Sequence, residues 1–257
     1  MAPDGFKEGW HLIPCLCIAI SIVEYIFAYH DVRIGIILAL STTIGAYILL
    51  SVKEMSVEVS DSVESLSLIP IYILFTSSLP WFFLSRELLL PAVYSAIIGL
   101  CFHHIHSKKI SIEELGLKKH NLLKYALLGL TGIPMGFVEY FILKPAPASP
   151  TFMLGNFFRD LAYMVLFVGV GEELLFRGLI QRSLTRALSP KAGLILGAYI
   201  FSVMHLTWRS VPELIFVFFA GILFGYLYQR TGSLTAPIVS HGVGNLLLVG
   251  VFPYLLR

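Results

Sequence analysis

Glu172 and Glu173 stand side by side in the apolar run Val168-Gly169-Val170-Gly171-Glu172-Glu173-Leu174-Leu175-Phe176-Arg177-Gly178, with an arginine one helical turn further on. Two other apolar segments carry groups that could work with them, Phe201-Ser202-Val203-Met204-His205 and Ser240-His241-Gly242-Val243-Gly244-Asn245. A carboxylate at the centre of a membrane helix costs roughly 2.5–3.5 kcal/mol on insertion scales, so adjacent glutamates are not kept there for packing alone. The chemistry these groups suit is hydrolysis. A glutamate shielded from solvent can take a proton from a water molecule. His205 can hold that water and share its proton. His241 and Asn245, as donors from a separate helix, can meet the oxyanion that forms on a scissile carbonyl. A metal version uses Glu172, His205 and His241 as ligands and leaves a fourth position for water, as in several zinc peptidases. Asparagine is a poor zinc ligand and a good amide donor, so a site without a cofactor is favoured and zinc is the alternative.

Helical phase sorts these residues further. Glu173 and Arg177 are four apart in the favourable order and can pair directly. His241 and Asn245 are also four apart and share a face. Glu172 is turned about 100° from Glu173, so the two need not do the same job. The preferred reading turns Glu172 to a cavity and gives Glu173 to Arg177 or another polar neighbour; phase alone also permits the reverse. Plainer readings exist for each residue taken singly. The glutamates and Arg177 could form a structural ion pair. His205, just before Thr207-Trp208-Arg209, could lie at the interface, and His241 with Asn245 could be an interhelical hydrogen-bonding pair. Their joint presence argues against all three. Elsewhere the plainer reading is kept: His103, His104 and His106 as a wet patch beside lysines rather than a metal site, and Glu24 and Glu139 as partnered or snorkelling structural carboxylates.

The elements that must position these groups are membrane helices. Of 257 residues, 57% are hydrophobic and 13% charged, against about 25% charged in a soluble domain. The mean hydropathy is +0.82. A net charge of +2 is too small to suggest nucleic acid, and no basic cluster interleaves with aromatics, so no nucleic-acid partner is expected. The three cysteines, Cys15, Cys17 and Cys101, lie in apolar segments and read as buried hydrophobes. Nine apolar segments are marked, at roughly 10–29, 33–52, 66–84, 88–105, 122–143, 152–187, 191–207, 211–230 and 235–254. The expectation is an all-α, polytopic membrane helix bundle with about eight or nine transmembrane helices. The first segment, preceded by Asp4, Lys7 and Glu8, reads as a retained helix and not a signal peptide. The acidic stretch from Lys53 to Glu64 is expected to be an interfacial loop. Pro145, Pro147 and Pro150 mark a helix break. Lys108, Lys109, Lys118 and Lys119, and separately Arg182, Arg186 and Lys191, make two connections cytoplasmic, which puts the N-terminus on the same side. Gly221 and Gly225, and Gly242 and Gly244 around His241, thin their helices for close approach.

At the residues singled out, the chain resembles the CPBP family of intramembrane proteases, which includes type II CAAX prenyl endopeptidases and bacterial relatives linked to bacteriocin processing and self-immunity. Glu172-Glu173-Leu174-Leu175-Phe176-Arg177 matches its first motif, Phe201 with His205 its second, and His241 with Asn245 its last. Glu113-Glu114-Leu115-Gly116-Leu117, Ala220 to Tyr228, and Thr231 to Pro237 are similar to the family's connecting text. The resemblance covers roughly residues 110–250. It implies membrane helices around a cavity open to the cytoplasm and the bilayer, with Glu172 as base, His205 as its partner, and His241 with Asn245 as the oxyanion pair. It implies cleavage near the C-terminus of a membrane-associated peptide or protein; a lipidated protein, a pheromone, a bacteriocin leader and a C-terminal sorting tail are the candidates.

The expectation is therefore an intramembrane endopeptidase, glutamic rather than metal-dependent, in a prokaryotic inner membrane. Residues 1–105 are expected to form N-terminal helices without an assignable motif and 106–257 the protease core. The rival is a transporter or an immunity or binding protein that uses the same polar cluster.

Overall fold

The computed structural model describes residues 7–78, 83–117, 122–147 and 150–256. Asp4, Lys118 and Lys119 lie outside the described residues. Every regular element among the described residues is helical. In chain order these are α1 (Leu12–Tyr29), α2 (Val32–Val52), α3 (Val57–Ser78), α4 (Arg86–Ser107), α5 (Leu122–Gly129) and α6 (Gly132–Leu143). A continuous helical run follows: α7 (Leu154–Ala162), a π-helical stretch Tyr163–Gly169, α8 (Val170–Glu173), a second π-helical stretch Leu174–Gln181, and α9 (Arg182–Ala187). Then come α10 (Pro190–Val203), a 3-10 turn Leu206–Trp208, α11 (Val211–Thr231), α12 (Thr235–Leu246), a π-helical stretch Leu247–Val251, and α13 (Phe252–Leu255).

Among the described residues, seven helical segments are long and apolar enough to cross a membrane: Leu12–Tyr29, Val32–Val52, Val57–Ser78, Glu87–Ser107, Leu123–Leu143, Val211–Thr231 and Thr235–Leu255. Their outward faces are apolar. On α2, Ile34, Ile37, Ile44 and Ile48 are all more than half exposed. The chain is an integral, multi-pass membrane protein. The two remaining apolar segments are the run from Leu154 to Ala187, which carries the paired glutamates, and α10, which has 14 residues.

Local chemistry sets the helix ends. Asp31 Oδ1 accepts from the amides of Arg33 (2.7 Å) and Ile34 (3.2 Å) and caps α2. Ser189 caps α10 through the Ala192 amide, and Pro190 occupies the first turn, where its missing N–H costs nothing. Lys144 takes a left-handed conformation at the end of α6, and the prolines follow, as expected. The stretch Lys53 to Glu64 departs from expectation. It is not a loop, because α3 begins at Val57. Val59, Val63 and Leu66 share one face and are buried, and Glu58 sits in the first turn, where the helix dipole favours an anion. Charge was mistaken for a helix break.

The chain forms two compact units, one from Met1–Phe83 with Leu179–Ile222 and the other from Leu84–Gly178 with Leu223–Arg257. In the first, α1, α2 and α3 pack on one another, α3 rests on α9, and α1 also meets α10. Arg209 donates to Ala28 O from Nε at 2.9 Å, tying the 3-10 turn to α1. At Gly221 an added Cβ would lie 3.0 Å from Ala198 Cα, the close approach expected of that residue. Glu24, expected to be partnered or snorkelling, is 2% exposed and makes no hydrogen bond or ion pair among the described residues.

In the second unit α12 is central, packed against α5, α6 and the π-helical stretch Tyr163–Gly169. Backbones meet there. A Cβ on Gly132 would overlap Ser240 O and lie 2.9 Å from Gly244 N; one on Gly136 would overlap Gly244 O. On the opposite side, a Cβ on Gly242 would lie 2.8 Å from Val165 Cα. Small residues four apart on α6 therefore face small residues four apart on α12, the arrangement by which membrane helices associate without a hydrophobic drive. Ser111 and Glu114 exchange hydrogen bonds as a capping box. Gly116, at φ +79°, then offers its carbonyl to the Leu234 amide at 3.2 Å, just before α12 begins.

This packing predicts that Gly132→Ala lowers the detergent melting temperature. Gly45→Ala, where an added Cβ meets nothing within 4 Å, should leave it unchanged or raise it, since alanine is favoured over glycine in a helix by about 1 kcal/mol.

Candidate active site

Residues Val170–Glu173 sit between the two π-helical stretches. Such widened turns recur at functional sites, and they change the rotation per residue on either side of the glutamates. Glu173 is completely buried; Glu172, Arg177 and His241 are also buried. Glu173 Oε1 accepts from Arg177 Nη1 at 2.9 Å and from His241 Nδ1 at 2.8 Å. Both bonds are of the charge-assisted kind. A carboxylate oxygen only accepts, so Nδ1 of His241 carries a hydrogen and its Nε2 faces the other way. That nitrogen stands 3.8 Å from Glu172 Oε2, beyond direct hydrogen-bonding distance.

The imidazole is held flat against Phe224, with ring centroids 5.1 Å apart and planes 18° from parallel. Arg177 Cζ lies 5.3 Å from the centroid of the same ring, a cation–π contact. Phe224 thus fixes the planes of two groups that meet at Glu173. Glu172 Oε1 accepts from the Tyr94 hydroxyl at 2.5 Å. Glu172 Oε2 and Glu173 Oε2 are buried and have no donor among the described residues.

Asn245 lies one turn beyond His241 on α12 and is half-buried, and its carboxamide makes no hydrogen bond among the described residues. His205 belongs to the first unit, just past the end of α10. Its Nδ1–H donates to Phe201 O at 2.8 Å, and the two rings lie 4.8 Å apart. This bond places the lone pair on Nε2, the tautomer a proton acceptor needs. Among the described residues no group of three or more His, Cys, Asp and Glu side chains is disposed to hold a metal ion. His241 commits Nδ1 to Glu173.

The sequence reading brought Glu173 to Arg177, and the structure pairs them. It did not foresee that His241 bonds Glu173 and faces Glu172, nor that Tyr94 and Phe224 complete the cluster. Nothing in the sequence marks Tyr94 as a site residue. It stands in α4, where no motif points to it, and only its hydroxyl's partner distinguishes it from other tyrosines in apolar helices.

Residues 154–247 match a family model described as type II CAAX prenyl endopeptidase Rce1-like. The match spans somewhat over a third of the chain and contains Glu172, Glu173, Arg177, His205, His241 and Asn245. It agrees with the resemblance read from the motifs. No curated protein and no solved structure matches the chain.

Arg177→Ala should lower both stability and activity, because it strips a donor from a fully buried carboxylate. Breaking a buried pair from one side costs on the order of 3–5 kcal/mol. Thermal melting in detergent checks it: a variant that melts like wild type shows that Glu173 does not depend on Arg177.

Proposed function

We propose that the chain is an intramembrane endopeptidase that hydrolyses a peptide bond near the C-terminus of a membrane-associated peptide or protein, with Glu172 as the general base. The supporting observation is that Glu172 Oε2, buried and without a donor among the described residues, lies 3.8 Å from His241 Nε2. One water can bridge two such atoms at that spacing. Glu173 orients His241 through Nδ1, as the third member of a hydrolase triad orients its histidine.

In the step this supports, the water oxygen adds to the scissile carbonyl carbon while its proton passes to Glu172 Oε2. The carbonyl π electrons move to oxygen, and the oxyanion accepts from the carboxamide of Asn245. The C–N bond then breaks as Glu172 returns the proton to the leaving nitrogen. The products are a carboxylic acid and an amine, and Glu172 is again a carboxylate. This moves His241 from the oxyanion side, where the sequence reading put it, to the side of the attacking water. His205 is assigned to sharing the water's proton by its place in the second motif and by its tautomer. The match to a CAAX prenyl endopeptidase family supports a lipidated C-terminal tail as the substrate. A prokaryotic inner membrane remains the proposed location.

The test is cleavage, by the protein in lipid vesicles, of a quenched fluorescent peptide ending in a prenylated Cys-aliphatic-aliphatic-X sequence. Glu172→Gln and His205→Ala should each cost at least about 10²–10⁴-fold in turnover while the protein inserts and purifies normally. Asn245→Ala should depress kcat roughly 10²–10³-fold with less effect on KM. Full activity in Glu172→Gln sinks the mechanism.

A metal is decided separately. Elemental analysis should find little zinc, and cleavage should survive dialysis against a chelator. Near-equimolar zinc, with activity lost on stripping and recovered on adding zinc back, would recast Glu172, His205 and His241 as ligands.

A further inference from the structure

The second unit brings a residue to Glu172 that no motif contains. Tyr94 lies in α4, which packs against α8. Gly171 shows how near it comes: a Cβ built there would lie 3.1 Å from Tyr94 Cδ1 and 3.5 Å from Ile98 Cγ1. The tyrosine ring is thus seated on the backbone next to Glu172, and its hydroxyl meets Oε1 of that residue.

The consequence lies in the carboxylate's two oxygens. The terminal torsion of a glutamate is broad, so an unanchored carboxylate interchanges them freely. Here they have different surroundings. Oε1 is engaged by the phenol, whereas Oε2 is buried without a donor among the described residues and faces His241 Nε2. We propose that Tyr94 is a positioning residue for Glu172, holding Oε1 so that Oε2 is the oxygen that receives the proton from the attacking water; the proposal rests on the endopeptidase reading above. The phenol keeps its own proton throughout. It donates to the carboxylate before the proton arrives and fixes the plane in which it is received.

Tyr94→Phe retains the ring that packs on Gly171 and removes only the donor. Two measurements on the full chain in lipid vesicles test it. On the prenylated peptide probe, kcat should fall about 10- to 100-fold, as for loss of a hydrogen bond to a charged group, with KM within about twofold of wild type. In infrared difference spectra, the carboxyl band assigned to Glu172 by its absence in Glu172→Gln should shift in Tyr94→Phe. Tyr163→Phe, which removes a phenol elsewhere in the same unit, should leave it in place. An unchanged kcat, or an unshifted band, overturns the proposal. Should wild type leave the probe intact, the endopeptidase reading falls on that substrate, and the infrared comparison still decides the anchor by itself.

Discussion

A carboxylate with no exposure to solvent, in a helix that lies within the apolar part of the chain, has to be compensated on the spot. Glu173 is that group, and Arg177 and His241 share its Oε1. The arginine comes with the same helical run and needs only a turn of spacing. The histidine comes from α12, so its contribution depends on how closely another helix can approach. Removing one partner of such a cluster leaves charge in a low-dielectric surrounding, which is far more costly than an apolar substitution of the whole set. The rest of the second unit is arranged to keep His241 in place.

That arrangement is made of small residues. Gly132 and Gly136 of α6 face Ser240 and Gly244 of α12 on one side, and Gly242 meets Val165 on the other. Helices in lipid gain little from hiding apolar side chains, since the tails outside are equally apolar. Contact between backbones supplies the dispersion energy instead, and only residues without bulky side chains allow it. Thr131 and Ser240 add a side-chain hydrogen bond at 2.9 Å to the same seam. A histidine held between two such contacts has little freedom to tilt, and Phe224 against its face removes most of what remains. Sites that must hold a reacting group to a fraction of an ångström are built on supports of this kind.

The two glutamates are neighbours in sequence and opposites in surroundings. Glu173 binds an arginine and a histidine through one oxygen. Glu172 receives only a neutral phenol, and its second oxygen is buried facing an imidazole nitrogen across 3.8 Å. Each keeps its Oε2 buried without a donor among the described residues; they differ in what their Oε1 atoms meet and in the imidazole nitrogen that Glu172 Oε2 faces. Identical side chains acquire different surroundings because the helix turns about 100° between them and presents them to different neighbours.

The sequence by itself determined the class and most of the chemical inventory. Long apolar stretches have only helices open to them in lipid, because each backbone polar group must be satisfied within its own segment. Charged side chains inside such stretches stand out by their cost, and that cost made Glu172, Glu173, Arg177 and His241 legible. The pairing of Glu173 with Arg177 was legible too, since it is set by local spacing. Charge misled at a helix start, where Val57 onward was taken for a loop, and at Glu24, which is buried without the expected partner among the described residues. What the tertiary structure alone decided was which helices meet. Periodicity along one segment carries no information about the segment beside it. So the bond from His241 to Glu173, the Phe224 stack and the hydrogen bond from Tyr94 could not be read from spacing. The π-helical stretches on either side of Glu172 and Glu173 add a second reason: they alter the helical phase on which spacing arguments depend.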